Sequence, residues 1–124
     1  MKKQFNDWNV SYSTISYFED ALKNHSKVAD VYRAKDILFN IELTNGTQIK
    51  MLLVDEYTLG LAAVFRALRE FGKLDYIVTA GNWNAYSPDA KEYGDEHGIG
   101  IFKGPEFLKA LYLKNPKRFV SKDD

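Results

Sequence analysis

The 124-residue chain carries 17 Lys plus Arg against 17 Asp plus Glu, giving a formal net charge of zero, and 45% of its residues are hydrophobic and 27% charged. A length that one hydrophobic core usually fills and a globular composition exclude a multidomain enzyme and a disordered polymer, and balanced charge supplies no global field toward nucleic acid or acidic membrane. Zero cysteines and two histidines exclude a disulfide scaffold, a thiol nucleophile and a thiolate or histidine-rich metal centre, leaving carboxylates as the available ligands.

The first amphipathic segment runs from Ser13 to His25, with Ile15, Phe18 and Leu22 at helical spacing and Ser16 with Glu19 as a capping box. Val28 to Arg33 reads as a short strand, and Ile37, Phe39, Ile41 and Leu43 alternate as a second. Asn45-Gly46 predicts a tight type I′ turn into a third strand, Ile49 to Val54, whose unbroken apolar run Met51-Leu52-Leu53-Val54 suits a strand covered on both faces. Thr58 caps a helix with the stripe Leu61, Val64, Phe65, Leu68 and Phe71, an Arg66/Glu70 pair at i,i+4 and Gly72 as its stop. Tyr76 to Ala80 reads as a buried strand and Gly81 to Tyr86 as a loop; Ser87-Pro88 opens a helix to about His97. Gly98 to Phe102 forms a last strand. Gly104-Pro105 starts a helix with Phe107, Leu108, Leu111 and Tyr112 inward and Asn115-Pro116 as its stop, and the charged tail Lys117 to Asp124 frays. Residues 1–124 thus form a single α/β domain with a core over about 13–113. It has a mixed central β-sheet, an antiparallel hairpin joined to a parallel β-α-β unit, with helices on both faces.

Three stretches carry a resemblance in this order: Ala34-Lys35-Asp36-Ile37-Leu38-Phe39, Met51-Leu52-Leu53-Val54-Asp55-Glu56-Tyr57, and Asp75 to Gly81 running on to Gly98 to Gly104. The pattern resembles the core of restriction-endonuclease-like proteins, the PD-(D/E)XK group, especially Mrr-like restriction enzymes and archaeal Holliday-junction resolvases. The resemblance implies an acid at the start of the second strand and a Glu/Gln-x-Lys triplet on the third, which together bind a divalent cation and position the attacking water. Asp36 matches the first acid. With Tyr57 aligned to the aromatic that follows the triplet, Leu53 stands at the second acid and Asp55 at the lysine. An aliphatic side chain cannot ligate a metal, and an aspartate cannot offer a phosphate positive charge, so the implied active site is degenerate.

Two uses of these residues follow. In the first, the domain is catalytically inactive and works by binding, with a protein as its partner because zero net charge supplies little counterion-release free energy for duplex binding. An immunity, inhibitor or phage- or defence-accessory role suits such a domain, and no cofactor is needed. Trp83 and Tyr86, in a loop with Asn82 and Asn84, then offer aromatic anchors and amide donors, the alternative being that one or both rings fold back as a lid over the sheet. In the second, a divergent Mg²⁺-dependent nuclease acting on DNA or RNA uses Asp36, Asp55 and Glu56, with Asp36 and Asp55 on the metal, Lys50 on a phosphate, and nucleic acid held along Lys109 to Arg118. Asp55 and Glu56 have a structural use as well, at the positive start of the following helix. An α/β module that only builds structure or oligomers is the third alternative. His25 and His97 fall at helix ends without a nucleophile motif. Trp8 and Tyr12 read as packing against the domain. No apolar run reaches the roughly 18 residues of a membrane span, and Met1-Lys2-Lys3 leads into Gln4-Phe5-Asn6-Asp7 instead of a signal core, so the chain reads as cytoplasmic.

Overall fold

The computed structural model describes residues 7–81 and 83–113. Their elements are α1 (Tyr12–Lys23), β1 (Val28–Ala34), β2 (Leu38–Leu43), β3 (Gln48–Val54), β4 (Thr58–Leu59), α2 (Leu61–Phe71), β5 (Tyr76–Thr79), β6 (Ala85–Tyr86), α3 (Pro88–His97), β7 (Gly100–Lys103) and α4 (Gly104–Ala110). Five strands form one sheet in the order β1-β2-β3-β5-β7, antiparallel from β1 through β3 and parallel from β3 through β7. The expected α/β class and mixed sheet are both present. No helix among the described residues is long and apolar enough to cross a membrane.

Side chains alternate across a strand, so the row Phe39, Met51, Tyr76 faces one side of the sheet and the row Leu38, Leu52, Ile77, Ile101 the other. α1 and α4 close the first side: the Phe18 ring lies 6.4 Å from Phe39 and 6.3 Å from Phe107, and Phe107 lies 5.1 Å edge-on to Tyr76. α3 closes the second, so tightly that a Cβ at Gly94 would stand 2.6 Å from the Ile101 side chain. α2 joins it through the edge-on pair Phe65 and Tyr93, 5.0 Å apart. Met51 through Val54 are fully buried, as their missing alternation predicted.

Several local expectations are corrected. α1 starts earlier, because the Ser11 hydroxyl accepts the Thr14 N–H at 3.1 Å; Glu19 is drawn to Arg33 and Lys23 and does not close a capping box with Ser16. The β2–β3 loop is three residues long: Leu43 N–H closes on the Thr47 carbonyl, and positive φ falls on Gly46 but not on Asn45, so it is not a type I′ turn. Left-handed backbone sits instead at Lys35 and Asp36, φ 48° and 66°, in the β1–β2 turn. Thr58 does not cap α2. It pairs with Ala85 in a short parallel clip, β4–β6, which sequence reading left as loop, and Gly60 is the N-cap. Gly98 is the left-handed C-cap of α3 and not the first residue of β7. Tyr112 and Phe65 are more exposed than their stripes implied, because α4 stops at Ala110 and α2 is centred on Val64 and Ala67. The predicted stop at Asn115-Pro116 and the tail 117–124 lie outside the described residues.

Candidate functional site

Parallel strands β3, β5 and β7 end at one edge of the sheet. The antiparallel β2 begins there, with the Ile37 carbonyl accepting the Leu53 N–H at 2.9 Å. In open α/β sheets the carboxyl ends of strands are where loops form binding crevices. Here the chain leaving β3 passes from buried Val54 to exposed Asp55, half-buried Glu56 and exposed Tyr57.

Thr79, the last residue of β5 and fully buried, is the hub of this edge. Its hydroxyl donates to the Glu56 carbonyl at 2.7 Å and accepts the Glu56 N–H at 2.9 Å. The Asn84 amide donates both to the Thr79 hydroxyl at 3.0 Å and to Asp55 Oδ1 at 2.7 Å. Beside the hub, Ala85 N–H donates to the Tyr57 carbonyl and Ser87 N–H to that of Leu59, which fixes the β4–β6 clip. The loops after β3 and β5 are therefore stitched together into one rim. On it stand two aromatic rings with little to cover them, Tyr57 at 76% and Trp83 at 87% exposure. Between the rim and the first turns of α1 opens a cleft of about 460 Å³, lined by the apolar side chains of Phe18, Ala80, Pro105 and Leu108 and by the polar Ser13, Thr14, Tyr17 and Asp55.

Residues of the expected platform divide. Trp83 is displayed; Asn84 is a scaffold amide. Tyr86 turns inward, its hydroxyl donating to the buried Glu106 at 3.2 Å and its ring 5.7 Å under the Lys91 ammonium. Asn82 lies outside the described residues. Of the basic residues in the Lys109 to Arg118 patch only Lys109 lies among the described residues.

The nuclease set also divides. Asp36 accepts from the Tyr12 hydroxyl at 3.1 Å and faces the Arg33 guanidinium at 3.6 Å, and that hydrogen bond to a carboxylate raises the Tyr12 phenol above its ordinary range. Asp36 and Asp55 both abut the first turns of α1. Lys50 does not join them: it pairs with Asn40, four residues along β2 from Asp36, about 13 Å of strand. Its side chain lines a polar groove of about 390 Å³ with Tyr32, Asn40, Glu42 and Gln48. Among the described residues no group of three His, Asp or Glu side chains converges as a metal cage would require.

His25 and His97 serve helix ends. His25 Nδ1 accepts the Lys27 N–H, so its Nε2 carries the proton given to the Leu108 carbonyl at 2.8 Å; His97 bonds the Tyr93 carbonyl. Trp8 is buried against Phe71 and its indole N–H donates to Glu70. Thr79 is the member that sequence reading missed, and Tyr57 entered it only as the aromatic that follows the triplet, not as a surface ring, although it stands beside Asp55-Glu56 at a strand's carboxyl end. No protein-family model, curated protein or solved structure matches the chain.

Proposed function

We propose that this chain is a non-catalytic binding domain of restriction-endonuclease-like type, which recognises a protein partner through the rim that carries Tyr57 and Trp83. The observation that carries the reading is the full burial of Met51, Leu52, Leu53 and Val54. The strand on which the resemblance puts metal ligands is spent on packing, while the edge above it displays large rings. Large exposed rings make effective interface anchors. Zero net charge favours a protein over a nucleic-acid duplex.

The test has two arms. Incubation with single- and double-stranded DNA and RNA, in Mg²⁺ and in Mn²⁺, is expected to give no cleavage; cleavage abolished by Asp36→Ala would replace this reading with the nuclease one. Partner capture is then compared between wild type and the Tyr57→Ala/Trp83→Ala double variant at equal melting temperature. Loss of the captured protein in the variant supports the rim as the interface, and undiminished capture overturns it.

A further inference from the structure

The cleft beside the rim has a definite chemistry. Phe18, Ala80, Pro105 and Leu108 make part of its lining apolar, no basic side chain lines it, and Asp55 is its carboxylate. Among the described residues Asp55 has no cationic partner, its one side-chain hydrogen bond being with the neutral Asn84 amide. That bond at 2.7 Å holds Oδ1 without neutralising the carboxylate's charge. Across the opening stands Tyr17, an aromatic ring 75% exposed on α1.

A partly apolar cleft with an uncompensated carboxylate and an open ring beside it complements a long side chain with an aliphatic stem and a cationic head. The stem lies on the apolar lining and the head meets the charge. A planar guanidinium suits this better than an ammonium, because it can pair with a carboxylate and stack on a ring together. We propose that the cleft is a subsite for an arginine side chain of the protein partner, held by Asp55 and Tyr17. The inference rests on the binding reading above and adds the chemistry of what is bound.

The test is an NMR titration of the full chain with N-acetyl-arginine amide, N-acetyl-citrulline amide and spermidine, on wild type, Asp55→Asn and Tyr17→Leu. Asp55→Asn keeps an oxygen for Asn84 to bond, and melting curves check that both variants fold. Saturable shifts at the Ser13, Asp55 and Gly81 amides are expected with the arginine probe, with affinity at least about tenfold weaker for citrulline and for Asp55→Asn. Tyr17→Leu should weaken binding by a smaller factor and preserve the preference for arginine over citrulline. Equal response to citrulline, no response to arginine, or tighter binding of spermidine each overturns the proposal, the last pointing to a free polyamine. Failure of the two readings is distinguishable. If the Tyr57/Trp83 variant loses the captured partner while Asp55→Asn keeps it in full, the rim stands and the arginine subsite falls; nucleic-acid cleavage would strike the binding reading without altering the probe titration.

Discussion

Thr79 illustrates how one hydroxyl can hold two loops. Fully buried, it satisfies the N–H and C=O of Glu56 and half of the Asn84 amide. Removing it leaves those groups unpaired under cover, which costs more than the net worth of a hydrogen bond. Thr79→Val, nearly the same shape, is expected to destabilise the fold by about 1–3 kcal/mol in urea denaturation, and Thr79→Ser to recover most of it. Lys35 marks the opposite case. Its left-handed backbone at φ 48° is conformation that glycine adopts without a Cβ penalty. Lys35→Gly should therefore raise stability by about 1 kcal/mol, measured the same way, whereas the Asp36 side chain in the same turn is retained by its hydrogen bond from Tyr12 and its ion pair with Arg33. Neither residue announces itself in the sequence. Thr79 closes an apolar run, and the partners that give it meaning are 23 residues upstream and 5 downstream.

Among the elements, β1 is an edge strand, and edges invite pairing with other chains. Asp30 manages this one: its carboxylate accepts the N–H of Val31 at 2.9 Å, next to an irregularity in the β1–β2 register. Asp30→Thr, which frees that donor and raises β propensity, is expected to produce concentration-dependent dimers in light scattering where the wild-type edge gives none. The segment before α1 is tied down by α2. Arg66 lies 3.9 Å over the Trp8 ring and bonds Glu70, and these two neighbours hold the Glu70 carboxyl below the usual range, Arg66 first. A carboxyl with a depressed pKa contributes stability in full above its ordinary value of about 4.3, and that contribution is lost as pH falls through its depressed one. In a Trp83→Phe background, Trp8 emission should accordingly shift to the red on acidification below that value, and Glu70→Gln should show the shifted spectrum already at neutral pH. Helices and sheet strands were legible because period and punctuation agree: Ser87-Pro88 starts α3, Gly72 ends α2, and Met51 to Val54 is unbroken. The clip β4–β6 was not, since a two-residue parallel pair has no period and its backbone partners lie a whole helix apart.

For the molecule as a whole, the burial of the sheet's central strand bears on the triplet that the proposed restriction-endonuclease-like reading would put there. Leu53 is fully buried, so Leu53→Glu with Asp55→Lys would rebuild the triplet's letters by placing a carboxylate in the core. A buried carboxylate must neutralise or unfold its surroundings. The double variant is expected to lose several kcal/mol in denaturant titration and to gain no Mg²⁺ affinity in calorimetry. Sequence reading reached the mixed sheet but left Trp83 and Tyr86 alike between display and folding back over the sheet, because an aromatic in a loop carries no period to say which way it turns; for Tyr86, Glu106, 20 residues later, decides it. The clip has one more consequence, in the order of events. Thr58 and Ala85 are separated in the chain by α2 and β5, so docking of β5 beside β3 shortens the loop that must close for the rim to pair. Held by two residues a side, it is also the part that local fluctuation can release without unfolding the core. A partner seated on Tyr57 and Trp83 would therefore close a latch as well as fill a surface, and part of its affinity would reappear as slower opening of the two loops beneath it.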